Sequence, residues 1–364
     1  MAIVQSILGR SDTTHRNKTI HPLPLRPLDL PHVLHANSLT FPTQGWTPLS
    51  LPPPSIAPIE ATSRSLFCAS EAFFALPQET KEKLRTNLGS EEGWSCIPGE
   101  KELLALRRFG PTPLELQDVA STFWAEVGKL LNEILGRIAE SLGLRPDALQ
   151  VFVGPCAELA SERTATMLRL FRYEASGIDK LKVVSESHSD LGLLSLVIGQ
   201  TPGLEVWDSP SDRWLSLEKT YEAPSATLLV GRQLERLSNG RYRSGKHRVV
   251  SYPSSSIPVK DSGMPSQYRY SIVFVLRAHW PVIIDTNTLE TPITGPFTHP
   301  IQGVTGKDLF TMIGEKHFNV NTGIQEREEQ KRRLKEKVEE NAQSAKVKKS
   351  FLQEMMDWVK GGLM

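Results

Sequence analysis

The stretch from residue 165 to residue 278 contains seven short runs of apolar and β-branched residues: ATMLRLFRY (165–173), KVVSES (182–187), GLLSLVIG (192–199), LEVWD (204–208), ATLLVG (226–231), HRVVSY (247–252) and YSIVFVLRA (270–278). Glycine, proline, serine and aspartate separate these runs. β-branched and aromatic side chains favour strands, and turn residues between the strands favour chain reversals. Many short strands at this spacing predict a β-sandwich or jelly roll.

The residues before this stretch follow other patterns. Proline is dense between residues 20 and 60, which predicts an extended chain with a few short strands and no long helix. Apolar residues at helical spacing then predict a helix from about Pro58 and a long helix between Pro113 and Gly143. A short helix with Lys81 and Lys83 is expected to begin near Pro77. Glycine is a common residue at the end of a helix, so Gly143 is the expected stop.

The C-terminal residues are dominated by charge. Glutamate and lysine alternate at helical offsets from residue 325 to residue 349, which predicts a solvated helix. The last run, FLQEMMDWVKGGLM (351–364), is amphipathic and could dock on the body or close a pocket. The expected organisation is an N-terminal extended and helical region (1–160) packed on a jelly-roll core (161–285), followed by a C-terminal extension (286–364) that is a possible lid.

Composition narrows the class of partner. The 364 residues include 42 lysines and arginines against 41 aspartates and glutamates, so no overall field attracts nucleic acid or a membrane surface. A small-molecule partner is expected, for a monomer or weak homo-oligomer. Cys68, Cys96 and Cys156 lack the spacing of a disulfide framework or a zinc site, so we expect three reduced, buried thiols. No signal-peptide or membrane-spanning pattern occurs, which predicts a cytoplasmic location.

One pair of residues within the β-rich stretch has the spacing of metal ligands. His188 and Asp190 are two residues apart, so on a strand both side chains leave the same face. An imidazole and a carboxylate suit iron(II), provided that a third ligand completes one triangular face. With 9 histidines and 41 acidic residues, such a pair is expected about once by chance. The spacing alone therefore decides nothing.

Three further residues strengthen this hypothesis. His247 begins the β-branched run HRVVSY and is the best candidate for the third ligand, whereas His279 follows the last run beside tryptophan and proline. Arg269 and Ser271 share one face of a predicted strand, so the guanidinium and the hydroxyl could hold a carboxylate together. An arginine at the start of a strand is by itself common.

In this order, the His-x-Asp pair, the distal histidine and the Arg-x-Ser pair resemble the isopenicillin N synthase-like branch of the iron(II)/2-oxoglutarate-dependent dioxygenases. The likeness extends over roughly residues 60 to 285. Its other motifs are FFALPQETKEKL (73–84), EEGWSCIPGEKE (91–102), GLEVWD (203–208) and QLERLSNGRYRSGKHRVV (233–250).

The resemblance implies a fold, a cofactor set and a reaction. The fold is mainly β with α, with a double-stranded β-helix (jelly roll) core, an N-terminal helical region and a C-terminal helix. Iron(II) is implied at His188, Asp190 and His247. The co-substrates are 2-oxoglutarate and O2, with the distal carboxylate of 2-oxoglutarate on Arg269 and Ser271. The implied reaction couples 2-oxoglutarate decarboxylation to hydroxylation, desaturation or cyclisation of a small molecule, in specialised (natural product) metabolism.

The chain departs from the family pattern beside the metal. RLFRY (169–173) stands where the family has Arg-Leu-Asn-Tyr-Tyr, which aligns Tyr173 with a tyrosine that contacts 2-oxoglutarate. Phe171 replaces the asparagine and Arg172 replaces the first tyrosine. Arg232 replaces a common aspartate, which is expected to be a change at the surface or in a turn, and an insert occupies residues 254–267. For Arg169 and Arg172, a cross-strand or surface role is expected before contact with an acidic substrate.

The sequence leaves the substrate and two alternative functions open. The residues expected to line the substrate pocket are Phe171, Leu204, Val206 and Phe274, each of which could equally belong to the core. Isopenicillin N synthase uses the same Arg-x-Ser pair without 2-oxoglutarate, so an iron oxidase of that type is one alternative. A non-catalytic jelly-roll binding protein is the other. A zinc hydrolase is disfavoured, because no general base is matched and the Arg-x-Ser pair would have no role.

Overall fold

A computed structural model describes residues 22–51, 53, 58–87, 90–110, 112–154, 156, 158–159, 161–174, 181–253 and 268–361. The helices are α1 (His35–Gln44), α2 (Ile59–Ala75), α3 (Gln78–Glu82), α4 (Leu114–Ser141), α5 (Asp147–Gln150), α6 (Arg232–Leu237), α7 (Gly306–Gly314) and α8 (Ile324–Gly361). The predicted helices near Pro58, Pro77 and Pro113 correspond to α2, α3 and α4. Gly143 adopts a φ of 77° just after α4, as expected of a helix stop.

The strands are β1 (Trp46–Ser50), β2 (Gly93–Ile97), β3 (Lys101–Leu106), β4 (Met167–Glu174), β5 (Lys182–His188), β6 (Leu194–Gly199), β7 (Leu204–Asp208), β8 (Arg213–Leu215), β9 (Ser225–Val230), β10 (His247–Ser251), β11 (Tyr268–Leu276), β12 (Ile283–Ile284) and β13 (Val304–Thr305). Each of the seven predicted runs contains a strand.

Two antiparallel sheets form the body. The larger sheet has seven strands in the order β1-β9-β6-β11-β4-β3-β2, and the smaller has four in the order β5-β10-β7-β8. Apolar side chains from both sheets form a buried layer between them, and helices α2 and α4 contact the larger sheet. This arrangement is the predicted double-stranded β-helix with helices added. None of the helices in the described ranges is both long and apolar enough to cross a membrane.

The N-terminal region contributes three strands to the larger sheet, of which β1 lies in the proline-dense segment where a few short strands were expected. Strands β1, β2 and β3 all join the larger sheet, and β3 pairs along β4. The division of the chain at residues 160 and 285 therefore stays a proposal.

Helix α1 was not expected in the proline-rich segment. It forms because no proline occurs between Pro31 and Pro42, which leaves room for its first turns. The helix ends at Gly45, whose φ is 76° and whose amide donates to the carbonyl of Phe41. The expectation of three buried thiols was also wrong, because Cys68 and Cys96 are exposed and Cys156 alone is buried.

A close approach of two backbone segments holds the loop after Asp190. The amide of Gly231 donates to the carbonyl of Leu193 at 2.9 Å. A Cβ atom at Gly231 would lie 2.1 Å from the carbonyl oxygen of Gly192. Because both partners are backbone, a larger residue cannot be accommodated by turning a side chain.

Gly231→Ala is therefore expected to lower the free energy of unfolding by roughly 1–3 kcal/mol or more, as overpacking does. Urea denaturation measures the change. Gly110→Ala is the matched control, since no atom lies within 4 Å of a Cβ built there. Equal effects of the two substitutions would contradict the close-approach argument.

Candidate active site

The structure brings His188, Asp190 and His247 together at one end of the smaller sheet. His188 ends β5 and His247 begins β10, and the two residues face each other across the antiparallel pair. Their ring centroids are 4.3 Å apart, and His188 Nε2 lies 3.7 Å from Asp190 Oδ1. One potential ligand atom from each residue lies within 4.8 Å of the other two. The geometry is that of a three-residue metal site on one face.

Backbone carbonyls orient both imidazole rings. His188 Nδ1 is 2.8 Å from the carbonyl oxygen of Glu186, and His247 Nδ1 is 3.1 Å from that of Gly245. A proton on each Nδ1 completes these hydrogen bonds and leaves the Nε2 lone pair free for a metal. Burial and the neighbouring His247 lower the pKa of His188, which favours the neutral ligand form.

Asp190 is held in place through its backbone. Its carbonyl oxygen accepts a hydrogen bond from the amide of Arg232 at 2.8 Å, at the start of α6. Its Oδ2 atom is buried and has no hydrogen-bond partner among the described residues. A buried carboxylate oxygen without a partner is costly, so this position calls for a cation.

A narrow inner cavity lies on the β4 and β11 side of the triad. Arg269 pairs with Tyr173 across the two strands, and Ser271 pairs with Phe171. All four side chains line the cavity, together with His188, Asp190 and His247. Burial raises the pKa of Tyr173 to about 12, so its phenol stays neutral and can donate a hydrogen bond. The predicted co-substrate residues therefore share one cavity with the predicted metal ligands.

Arg269 already has a carboxylate partner. Its Nη2 atom donates to both oxygens of Glu218, at 3.0 and 2.9 Å, and its Nε donates to the carbonyl of Thr201. Glu218 also accepts from the amides of Gly203 and Leu204, at 2.7 Å each. The Nη1 atom of Arg269 is buried and has no partner in the described part of the chain. One end of the guanidinium is thus fixed and the other remains available.

A larger outer pocket of about 430 Å³ lies on the other side of the triad. Its walls include Arg169, Arg277 and Glu91, together with residues 317–321 that precede α8. Arg327 in the first turns of α8 is 2% exposed and donates to Glu100 at 2.8 Å, which docks this segment on the body. The predicted closing run at residues 351–364 lies outside the residues whose side chains are described.

Lys101 is buried beside the inner cavity. Its Nζ donates to the carbonyl of Val320 at 3.0 Å and to the hydroxyl of Ser185 at 3.2 Å. Burial lowers the pKa of Lys101 from 10.5 to about 7. Val320 and Ser185 both line the inner cavity, so Lys101 connects its two walls.

This burial makes stability depend on pH. Between pH 7 and pH 10 the unfolded chain keeps the Lys101 proton that the folded chain has lost, so the free energy of unfolding rises with pH. The contribution is at most about 1.4 kcal/mol per pH unit. In Lys101→Met the slope should fall by up to that amount, as measured by urea denaturation of metal-free protein at pH 7, 8 and 9. An unchanged slope would contradict the assignment.

The predicted substrate residues divide into two groups. Phe171 and Leu204 line the inner cavity beside the predicted 2-oxoglutarate contacts, and neither belongs to the lining of the outer pocket. Val206 is fully buried between the sheets and lines neither cavity among the described residues. Phe274 is a correction: it packs against Trp124 of α4, with ring centroids 4.9 Å apart. Alternation along β11 directs Phe274 to the helix side, because Val273 and Val275 line the cavities.

The two arginines of β4 lie on opposite faces of the strand, and the expected cross-strand role is seen for Arg172. Arg172 lies opposite Glu102 on β3 and forms a cross-strand ion pair with it. Arg169 lies on the other face of β4 and lines both cavities. Arg232, expected at the surface or in a turn, lines the outer pocket and pairs with Glu235 at 2.9 Å. The insert at residues 254–267 lies outside the described residues.

Some residues of the site carried no usable sequence signal. Glu218 lies in a single 3-10 turn (Leu217–Thr220) and Glu91 in a connecting segment, and neither is long enough for a periodicity that assigns a direction to the side chain. Lys101 could have been found, because in KELLAL it alternates with Leu103 and Ala105, which are buried between the sheets.

Comparison with known proteins identifies the domain. A sequence model of the 2OG-Fe(II) oxygenase superfamily matches residues 164–278. The chain carries a 2OG-Fe(II) oxygenase domain. The match begins just before β4 and ends just after β11. The oxygenase domain therefore includes strands β4 and β11, which line the inner cavity, and all three residues of the triad. The isopenicillin N synthase-like branch fits this membership.

Individual relatives of the oxygenase domain agree. A flavonol synthase/flavanone 3-hydroxylase of Arabidopsis thaliana is 34% identical over 146 residues, which cover 39% of this chain and 40% of that protein. A 2-oxoglutarate-Fe(II) type oxidoreductase of Emericella nidulans is 30% identical over 162 residues, which cover 43% of this chain and 44% of that protein. The chain thus spans less than half the length of either relative.

A solved structure agrees with the fold. A full-length Neurospora crassa protein, crystallised in complex with alpha-KG and 5-formyluracil, superposes with a TM-score of 0.59 and 24% identity. The superposition covers 75% of this chain and 86% of the Neurospora chain. At this identity the likeness concerns the fold alone.

Proposed function

We propose that the protein is an iron(II)- and 2-oxoglutarate-dependent oxygenase that oxidises a small molecule. One observation carries the proposal. The carboxylate oxygen of Asp190 that has no partner among the described residues lies close to the Nε2 atoms of His188 and His247, and this group lies between the inner cavity, which Arg269 lines, and the larger outer pocket. The domain match and the relatives named as oxygenases support it.

The three ligand residues suit iron(II). Two neutral imidazoles and one carboxylate on a single face match the ligand set that leaves the opposite positions of the metal open. His188, Asp190 and His247 would hold the ion. When bound, iron(II) supplies the activation of O2, with conversion of 2-oxoglutarate to succinate and CO2 and oxidation of the substrate.

The inner cavity supplies the contacts for 2-oxoglutarate. The free Nη1 atom of Arg269 and the hydroxyl of Ser271 would hold its distal carboxylate, and the neutral phenol of Tyr173 would donate a further hydrogen bond. Glu218 would fix the orientation of the Arg269 guanidinium, because it binds the Nη2 atom and is not itself part of the cavity lining. A guanidinium that is already oriented loses less conformational entropy on binding a carboxylate than a mobile one does.

The outer pocket would receive the substrate. Its volume of about 430 Å³ is within the usual range for small-molecule sites. Residues 317–321 form part of its wall and would limit access of water to the reacting atoms. A role in specialised metabolism and a cytoplasmic location belong to the same proposal, as does the absence of nucleic acid and membrane partners.

One observation favours a second candidate. Because Arg269 is already paired with Glu218, the cavity has less uncompensated positive charge for a dianion than the Arg-x-Ser pair alone suggests. An iron oxidase of the isopenicillin N synthase type, which does not use 2-oxoglutarate, would need less charge there.

Turnover of 2-oxoglutarate in the absence of added substrate tests the proposal. Purified protein with iron(II), oxygen, 2-oxoglutarate and ascorbate, which supplies the two electrons that a substrate would otherwise give, should form succinate and consume O2 in equal amounts above the enzyme-free background. Both should stop when 2-oxoglutarate is omitted. A non-catalytic protein would neither form succinate nor consume O2, with or without a candidate substrate. Oxygen consumption with substrate that continues without 2-oxoglutarate would support the iron oxidase instead.

A further inference from the structure

Three arginines meet at one glutamate on the wall of the outer pocket. Arg277 Nη2 and Arg169 Nη2 lie 3.0 and 3.1 Å from Glu91 Oε1, and Arg107 Nη1 lies 4.0 Å from Glu91 Oε2. Each of the three arginines is buried or largely buried. We call Arg107, Arg169, Arg277 and Glu91 the arginine cluster.

The arginine cluster lacks negative charge. Among the described residues, Glu91 is the only carboxylate within ion-pair distance of Arg169 or Arg277. The Nε atoms of both arginines are buried and have no partner in the described ranges.

Burial alone would raise the pKa of Glu91, but the positive charges of Arg277 and Arg169 hold this pKa well below its usual range. The glutamate therefore carries its full negative charge. Glu92 and Asp190 act on Arg107 and Arg169 only from beyond ion-pair distance, and Glu92 forms its ion pairs with Arg108 and Arg163. The three guanidinium groups therefore share one ion-paired carboxylate, and a bound anion would offset the excess buried positive charge.

The cluster is separate from the predicted 2-oxoglutarate contacts. Arg269 lies opposite Tyr173, whereas Arg169 lies opposite Val273, on the same face of the same strand pair. Four residues of strand separate the two arginines, or about 13 Å at 3.3 Å per residue. His188 and Asp190 line both cavities, so the metal centre lies between two positively charged ends.

The rest of the outer pocket indicates the shape of a ligand. Leu191, Phe310 and Phe318 supply apolar surface, and Phe310 stacks on the guanidinium of Arg277 at 4.5 Å. The other charged side chains of the lining are Arg232 and Lys246, both basic, and the only described acidic ones are Glu91 and Asp190. An apolar body that ends in an anionic group complements this surface.

We propose that the substrate is a small organic acid whose carboxylate binds Arg169 and Arg277 in the outer pocket. The inference rests on the proposed oxygenase function, because it takes the outer pocket as the place of the substrate. Arg169 and Arg277 are then specificity-determining residues: each offers a planar fork that suits a carboxylate. A neutral analogue would leave these buried groups unpaired and bind more weakly.

Calorimetric titration with matched acids and amides tests the inference. The protein is prepared without oxygen, with iron(II) and one equivalent of 2-oxoglutarate. The probes are 4-phenylbutyrate, octanoate and 3-(2-naphthyl)propionate, each paired with its primary amide. At least one acid should bind about ten-fold or more tightly than its amide, which is the effect of one charged hydrogen bond.

Substitutions assign the preference to the cluster. Arg169→Gln and Arg277→Gln should each remove most of the preference for an acid over its amide. In both variants Glu91 keeps other arginine partners. Arg172→Gln is the matched control, because Arg172 lies on the opposite face of β4 and pairs with Glu102. Glu91→Gln should strengthen acid binding several-fold by releasing both forks, whereas a cluster with a structural role alone would lose stability and gain no affinity.

Each outcome decides one question. No acid preference with any pair, or equal preference in wild type and both cluster variants, would overturn the organic-acid inference. The failure of the oxygenase proposal looks different: no visible absorption band would form on mixing iron(II) and 2-oxoglutarate, although metal-free protein could still prefer acids.

Discussion

Asp190→Ala should abolish stoichiometric iron(II) binding and lower 2-oxoglutarate turnover at least about a hundred-fold, since even the hydrogen-bond partners of metal ligands are worth ten- to a hundred-fold. The physical reason is that Asp190 supplies the only carboxylate of the three-residue site. The backbone carbonyl that accepts from Arg232 remains, so the loop keeps its anchor. Iron content after anaerobic dialysis and succinate formation are the two measurements.

His279→Ala provides the comparison for this variant. His279 is the other histidine of the β-rich part of the chain, and it is not part of the metal-ligand group found among the described residues. The His279→Ala variant should bind iron and turn over 2-oxoglutarate as the wild type does. Asp190→Ala protein that folds normally and still retains one iron per chain would remove Asp190 from the ligand set.

Arg269→Leu should lower both stability and 2-oxoglutarate affinity. Glu218 would remain as a buried carboxylate without its counter-charge, and breaking such a pair costs roughly 3–5 kcal/mol of unfolding free energy. Loss of a charged hydrogen bond to the co-substrate should weaken 2-oxoglutarate binding roughly ten- to a hundred-fold. Urea denaturation and titration of 2-oxoglutarate measure the two effects separately.

The double variant Arg269→Leu with Glu218→Gln distinguishes these effects. Removing the carboxylate should restore most of the lost stability, because no buried charge is left unpaired. It should not restore 2-oxoglutarate affinity. A double variant that binds 2-oxoglutarate as tightly as the wild type would show that Arg269 has no role in holding it.

Local pattern was enough to predict which of the candidate site residues share a face. The two-residue spacings of His188 and Asp190, and of Arg269 and Ser271, fix which side chains share a face once each run is taken as a strand. The long apolar stripe of α4 and the glycine after it were equally readable. These predictions succeed because the periodicity of a strand or helix determines direction without knowledge of the tertiary fold.

The contacts that complete the site join residues distant in sequence. Arg269 and Glu218 are 51 positions apart, and Arg327 and Glu100 are 227 apart. Arg169 shows this limit, because its role depends on Glu91 and Arg277, which only the folded chain brings to it. Phe274 was misplaced for a different reason, since alternation from Arg269 and Ser271 already assigns it to the face of β11 opposite the cavity.

Anaerobic titration of the iron(II)-loaded protein with 2-oxoglutarate shows whether the metal and the co-substrate share one site. Chelation of the metal by the 2-oxo acid end produces a visible charge-transfer band, so its intensity reports iron and co-substrate together. We expect a band that saturates at one 2-oxoglutarate per iron in the wild type and is absent in Asp190→Ala. Stoichiometric iron binding with no band at saturating 2-oxoglutarate would contradict a shared site.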